Sequence, residues 1–195
     1  DEGQGQRNAQ KAFEIFWNFY GLPSGRALWT MGTSCIQRTG GSALNNCAFV
    51  TTRDELIEPL AFMMDQSMLG VGVAFDVLGA GKFKVVQPGD DWPYEIPDTR
   101  EGWVESLRYL CRAFLEGTPY PVFNYTNIRQ AGAPIHGFGG VSSGADPLKR
   151  LHKNLHNVFV DRMGDWLDSV AIADLMNFVG VCVVSGNVRR TAQLC

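Results

Sequence analysis

The run Val71-Gly72-Val73-Ala74-Phe75-Asp76 restricts the fold more than any other segment. Its side chains are small and apolar with no polar alternation. That is the pattern of a strand covered on both faces, which parallel sheets flanked by helices require. The neighbouring segments have helical period. Residues 54–68 read as a helix whose Met63, Met64 and Met68 fill core space. Residues 8–20 carry Ala9, Ala12, Phe13, Phe16, Phe19 and Tyr20 at three- and four-residue spacing, an amphipathic helix ended by Gly21-Leu22-Pro23-Ser24-Gly25, with a loop beyond it. Between those two helices, Leu44-Asn45-Asn46-Cys47-Ala48-Phe49-Val50 reads as a short strand.

The second half repeats the alternation. Lys84 to Arg100 is proline-rich and reads as irregular, and Asp98-Thr99-Arg100-Glu101 has the form of a capping box. A helix follows over 99–116, with Trp103, Val104, Leu107, Leu110, Cys111 and Phe114 on one face and Gly117 closing it. A strand is expected around Val122-Phe123-Asn124-Tyr125, then a loop from Gln130 to Gly144 with five glycines. Asp146-Pro147 opens a further helix as N-cap and first-turn proline. The last helix, 168–184, is capped by Asp168 or Ser169 and ends at Ser185-Gly186-Asn187. Strands alternating with helices of this length predict an α/β fold in one domain.

Composition narrows the function classes. Of 195 residues 45% are apolar and 19% charged, so a core can form and disorder is excluded. Seventeen basic and twenty acidic residues give a net charge of −3 with no basic stripe, which argues against a nucleic-acid surface. No apolar run is long enough for a bilayer, so no membrane partner is expected. Five cysteines (Cys35, Cys47, Cys111, Cys182, Cys195) form no Cys-x-x-Cys pair and no signal peptide precedes them, the usage of reduced cytoplasmic thiols. The chain opens without methionine and stops at Leu194-Cys195 directly after a glycine-bearing turn, and it reads as a piece of a longer protein.

Three constellations could carry chemistry. Cys47 follows Asn45 and Asn46 on an apolar strand; it is either a small buried hydrophobe or a thiol beside a polar pocket at the strand's end, and the two amides, depleted in strand interiors, favour the pocket. The loop Gly137-Phe138-Gly139-Gly140-Val141-Ser142-Ser143-Gly144-Ala145-Asp146-Pro147 leads into a helix N-terminus, where free amides can meet an anion, or it is an ordinary connection. Gly186-Asn187-Val188-Arg189-Arg190 offers paired guanidinium forks suited to phosphate or carboxylate, or a solvated helix end. His152 and His156 share a helical face without a cysteine or carboxylate to complete a metal set, and His136 precedes the glycine loop.

Taken in order, several segments resemble one family. These are Pro23-Ser24-Gly25-Arg26-Ala27-Leu28-Trp29, Arg38-Thr39-Gly40 with Ala43-Leu44-Asn45-Asn46-Cys47, Gly70-Val71-Gly72-Val73, Glu95 through Trp103, the loop 135–147, and Ser185-Gly186-Asn187-Val188-Arg189-Arg190-Thr191-Ala192. The chain is similar over nearly its whole length to the adenosylcobalamin-dependent ribonucleoside-triphosphate reductases, the monomeric branch of class II ribonucleotide reductases. The resemblance implies that residues 1–195 form about half of a ten-stranded α/β barrel, with 82–130 an irregular or helical insertion bearing on an effector site. It also implies an open sheet edge, an unfinished core and no isolated activity.

In that family homolysis of the cobalt–carbon bond of adenosylcobalamin leads to a thiyl radical that takes the ribose 3′ hydrogen, water leaves from the 2′ carbon, and two further cysteines become a disulfide. Cys47 aligns with the first of those two, its disulfide partner and the radical cysteine lying beyond residue 195. Asn45, Asn46, Ser142, Ser143 and Gly144 are then substrate contacts, and Gly186, Asn187, Arg189 and Arg190 belong to the loop linking substrate base to a deoxynucleotide effector. The partners implied are a ribonucleoside triphosphate, that effector and a thioredoxin-like reductant. Cys195 stands where the family usually has a small residue before glycine, and an intein junction, a truncation and plain variation are the three explanations the sequence leaves open. Two alternatives stay open: a reductase of another radical class, and a non-catalytic nucleotide-binding regulatory module.

Overall fold

The computed structural model describes residues 2–135, 141–185 and 192–195. They group into two units, Asp1–Leu44 and Asn45–Cys195.

In the first unit α1 (Glu2–Trp17) buries none of its residues, and Phe13 and Trp17, one turn apart, stack at 5.7 Å between ring centroids. The helix starts earlier than its apolar spacing predicts, and it stops before Phe19, whose φ of +55° lies in the left-handed region. The segment expected to be loop contains two short helices, because it carries two hydroxyl caps. Ser24 Oγ accepts from the amide of Ala27 at the head of α2 (Gly25–Thr30), and Thr33 Oγ1 accepts from the amide of Cys35 at the head of α3 (Ser34–Thr39). Gly40, with φ +60°, turns the chain into a 3-10 segment, Gly40–Leu44.

The second unit holds two parallel sheets. β1 (Cys47–Val50) pairs with β2 (Gly72–Phe75) through α4 (Ile57–Met68), and β2 pairs with β5 (Gln193–Leu194), giving the order β1-β2-β5. β3 (Gly89–Glu95) pairs with β4 (Pro119–Asn124) through α5 (Arg100–Glu116) as a separate two-stranded sheet. α6 (Asp146–Asp161) and α7 (Ser169–Val184) pack on one another, and α4 bridges α7 and α5. The α/β class predicted from the alternation is what the chain adopts.

One core unites these layers. Leu60, Met63 and Met64 of α4, Leu107, Leu110 and Phe114 of α5, Leu151, Leu155 and Phe159 of α6, and Leu175, Met176 and Val179 of α7 are all within one cluster and essentially inaccessible. Burying each such side chain stabilises by roughly 1.5–3 kcal/mol. The ion pairs between α4 and α5, in which Arg108 donates to both Glu58 oxygens at 2.8 and 2.7 Å, are partly solvated and worth at most about 1 kcal/mol each. Packing therefore sets how α4 and α5 sit, and Arg108 fixes their register.

Four local expectations are corrected. β2 is not covered on both faces: Val73 and Phe75 are buried while Gly72 and Ala74 are only partly so, because among the described residues the helices packed on the sheet bury only one of its faces. The proline-rich stretch contains a strand, β3. Pro93 is tolerated there because a two-stranded sheet leaves each strand an unpaired edge for the missing N–H. The cap of α5 is Thr99, whose Oγ1 accepts from Gly102 N at 2.9 Å; Asp98 instead pairs with Arg129 and Glu101 with Arg100. α6 begins at Asp146 with Ala145 as its N-cap residue, so Pro147 stands one position further in. Of the two caps the sequence offers for α7, Asp168 is the one used, accepting from Ala171 N at 2.7 Å.

Two predictions test this packing. His152 is buried, stacked on Phe123 at 4.1 Å, with Nδ1 2.8 Å from the Tyr125 hydroxyl and Nε2 3.1 Å from Ser106 Oγ, which itself donates to Trp103 O. The network assigns a neutral ring that accepts from Tyr125 and donates to Ser106. Burial pushes the imidazole down to about 3. The unfolded group titrates near 6.5, so its contribution is complete above about pH 6.5 and drains away as pH falls toward 3. Hydrogen exchange of α6, corrected for intrinsic rates, should accelerate over that window in the full-length protein, and a His152→Asn variant should lose that pH dependence. Gly102 has a different role: a Cβ there would lie 2.6 Å from Pro97 O. Alanine would gain roughly 1 kcal/mol of helix propensity but incur an overpacking cost of about 1–3 kcal/mol, so Gly102→Ala should lower the melting temperature.

Candidate functional site

Strand alternation assigns each side of the β1-β2-β5 sheet. Ala48 and Val50 of β1 pack against the core, as do Val73 and Phe75 of β2. The opposite set is Cys47 and Phe49, paired across with Gly72 and Ala74, and Ala74 in turn with Leu194. Phe49 is 63% and Leu194 70% exposed, and Cys47 is exposed too. One face of the sheet is thus sealed by α4 and α7, and the other carries the thiol in the open. Cys35, Cys111 and Cys182 are buried, and burial pushes the thiols of Cys111 and Cys182 up to about 12. Among these four cysteines, only Cys47 can meet a ligand.

Cys47 is the first residue of β1, and Gly72 N donates to Asn46 O at 2.9 Å, locking the pair of strands at that level. Asn45 and Asn46 are exposed just before it. They therefore stand at the amino end of the strand, not at the carboxyl end where open α/β sheets usually place their ligands. The carboxyl end is occupied by a knot that sequence reasoning missed. Asp76 Oδ1 accepts from Thr52 N at 2.8 Å, Thr52 Oγ1 at 3.0 Å and Leu78 N at 3.2 Å, while Thr52 Oγ1 accepts from Gly79 N at 3.1 Å. Burial raises the Asp76 carboxyl, and the hydrogen bonds from Thr51, Thr52 and Leu78 outweigh it and leave it below its ordinary value. A Thr-Thr pair after one strand facing an Asp after the next was the available signal.

The other predicted residues are not brought against Cys47 by any hydrogen bond. Ser142 is held within its own loop: its N donates to Ala133 O and its O accepts from Gly132 N, both at 2.8 Å, and its Oγ accepts from Gly144 N at 3.0 Å. Gly144 is required there by a φ of +72° and by Ala131 N 3.1 Å from where its Cβ would be. Ser143 is partly exposed beside them. The first turn of α6 has no side-chain cap, and Asp146 already places a carboxylate at it, so an anion at that terminus would meet like charge. Residues 136–140, with His136, and Gly186, Asn187, Arg189 and Arg190 lie outside the described residues. His152 and His156 bond Tyr125, Ser106 and Tyr120, and no group of three or more metal-ligating side chains occurs among the described residues.

Two cavities flank the α4–α5 contact. One, of about 460 Å³, is lined by Asp54, Glu58, Phe62, Asp65 and Arg108 among others, and a second, of about 580 Å³, by Asp65, Tyr94, Glu101, Glu105 and Arg108. The Glu58 carboxyl is held low by hydrogen bonds from Arg108. These carboxylate-rich walls repel phosphate groups. In both, charged Asp65 and Arg108 stand among the apolar lining residues, so neither offers an unbroken apolar floor on which a corrin ring would lie. Among the described residues no helix is long and apolar enough to cross a membrane.

The family model described as "B12-dependent ribonucleotide reductase, insertion domain" matches residues 52–159. All of the chain aligns with 28% of an adenosylcobalamin-dependent ribonucleoside-triphosphate reductase of Euglena gracilis at 43% identity. It also aligns with 28% of a probable enzyme of the same name from Dictyostelium discoideum at 38%. A reductase of that name from Lactobacillus leichmannii is 32% identical over 95% of this chain and 33% of its own. A crystal structure of a B12-dependent (class II) ribonucleotide reductase superposes with a TM-score of 0.78 at 27% identity, covering 96% of this chain and 33% of that one. The chain spans about a third or less of the length of these relatives. The family model covers more than half of the chain, and the chain belongs to the B12-dependent ribonucleotide reductases.

Proposed function

We propose that residues 1–195 are part of an enzyme that reduces ribonucleoside triphosphates to deoxyribonucleoside triphosphates, contributing about half of a ten-stranded α/β barrel whose interior is the bare face of the β1-β2-β5 sheet. The observation that carries the reading is the exposure of Cys47 on that face, beside Gly72, while the other side is sealed by helices. A reducing thiol must be rigidly held and open to its substrate, and a strand buttressed from behind meets both needs.

In this reading Cys47 works with a second cysteine outside the chain. The two thiols give up two hydrogens and become a disulfide; the ribose loses its 2′ oxygen as water and gains hydrogen at that carbon. A thiyl radical on another cysteine outside residues 1–195 starts the reaction. Asn45 and Asn46 hydrogen-bond ribose hydroxyls next to the thiol. Ser142 and Gly144 are occupied in their own loop, so the 142–144 segment touches substrate through Ser143 and its backbone. Gly186, Asn187, Arg189 and Arg190 form the effector-sensing segment, the guanidinium groups meeting phosphate.

The two acidic cavities do not fit a corrin, and we assign adenosylcobalamin, which supplies radical initiation in this reading, to parts of the full-length protein outside this chain. β3 and β4, within 82–130, form a sheet of their own with α5 joining them, which supports reading that segment as an insertion; in this reading it bears on the effector site. A thioredoxin-like reductant resets the disulfide, and the reduced state of five unpaired thiols suits the cytoplasm.

The test is Cys47→Ser in the full-length protein. Turnover of ribonucleoside triphosphates should disappear while deoxynucleotide binding persists. Normal turnover with lost deoxynucleotide binding would favour a regulatory module. Parent turnover that is indifferent to added adenosylcobalamin would point to another radical class.

A further inference from the structure

Among the described residues 44–55 only Thr52 is buried. It follows β1 by two positions, and its side chain is closed to solvent. Within β1 itself Cys47 and Phe49 are exposed, while Ala48 and Val50 are only partly buried. Apolar contact of that kind decides which face of the strand turns to the helices, but it holds the strand's height along its own axis only loosely. Directional bonds fix height, because they weaken steeply once donor and acceptor slide out of line.

Those bonds converge on Thr52. The register that runs from Cys47 opposite Gly72 to Val50 opposite Phe75, carried one residue further, sets Thr51 opposite Asp76. There side-chain bonds take over from the main-chain ladder. Asp76 Oδ1 accepts from the Thr52 amide at 2.8 Å, and Thr52 Oγ1 is shared between Asp76 Oδ1 and O, both at 3.0 Å. The same hydroxyl accepts from Gly79 N at 3.1 Å, inside the fold. Gly79 comes so close that a Cβ on it would run into Thr52 O and the Phe83 ring. A strap outside the knot ties the same two turns, Lys82 Nζ donating to Arg53 O at 2.7 Å. At the other end of the strand Gly72 N donates to Asn46 O at 2.9 Å, so Cys47 lies between two fastenings.

We propose that Thr52 is a positioning residue for the reduction: held by Asp76 and Gly79, it fixes the height of β1 in its sheet and with it the reach of the Cys47 sulfur toward the 2′ carbon of the ribose. The proposal rests on the reductase reading above. Thr52 touches neither substrate nor cofactor. It stands five residues from Cys47, about 16 Å along an extended strand. A strand bonded to its neighbour along its length moves as a body, so a slip at one end arrives at the other.

The experiment uses the full-length protein with Thr52→Val, which keeps the shape and loses the hydroxyl, and Thr52→Ser, which keeps the hydroxyl. The readout is the amount of ribonucleoside triphosphate consumed for each deoxynucleotide formed, which is one in a parent enzyme whose steps are coupled. The thiyl radical that starts the reaction sits on another cysteine, so a displaced Cys47 leaves the start intact and stalls the reduction. In Thr52→Val deoxynucleotide formation should fall by about a hundredfold, the scale of a 1 Å misplacement. Consumption should fall far less, so the ratio rises, and Thr52→Ser should return it to one. A protein that merely folds poorly loses both quantities in step and keeps the ratio at one. Asp76→Asn, a neutral and weaker acceptor of the same shape, should raise the ratio to a smaller extent and serves as the second reading where Thr52→Val yields no soluble protein. A ratio of one in Thr52→Val or in Asp76→Asn, or a raised ratio that Thr52→Ser shares, would overturn the proposal. A parent that forms no deoxynucleotide, or a Cys47→Ser variant that still forms it, would sink the reductase reading itself before Thr52 is changed.

Discussion

The asymmetry of the β1-β2-β5 sheet governs the rest of the structure. Val73 and Phe75 are buried behind it in one cluster with α4 and α7, whereas Cys47, Phe49 and Leu194 in front are exposed. Apolar burial on one side supplies the free energy that holds the strands, and it does so without needing cover on the other. Phe49 and Leu194 are poor surface residues in water, and a further layer or further strands of a longer protein would relieve that exposure.

The elements with strong local signals were readable without coordinates. α4, α5, α6 and α7 follow helical spacing of Leu, Met and Phe, and Asp168 announces the start of α7 by ordinary capping chemistry. β3 was hidden because Pro88, Pro93 and Pro97 signal breakage, and only a partner strand 30 residues away in sequence makes Gly89–Glu95 extended. The cap of α5 was misread by one residue for a comparable reason: Asp98 and Thr99 are both good caps locally, and the distant Arg129 claims the aspartate.

Legibility of the candidate site follows the same division. Cys47 and its asparagines stand out by residue type, and all three are exposed at the head of β1. The seating of the Gln193 amide over Gly180 of α7 does not stand out, because a lone glycine in an apolar helix and a glutamine in a short strand come together only when the 12 residues between them fold back. Val71 to Asp76 shows the opposite error. Small apolar side chains there suggested cover on both faces, whereas Gly72 and Ala74 are small on a face that stays partly open.

The uneven exposure of the thiols also governs how the chain meets oxidants. Cys111 and Cys182, kept protonated by the hydrocarbon around them, are closed to peroxide and to alkylating reagents, whereas Cys47 and Cys195 are the first sulfurs such molecules reach. An exposed thiol is open to sulfenic and then irreversible sulfinic acid, so oxidative damage to this chain would begin at Cys47 and Cys195, the two sulfurs that the helices leave uncovered.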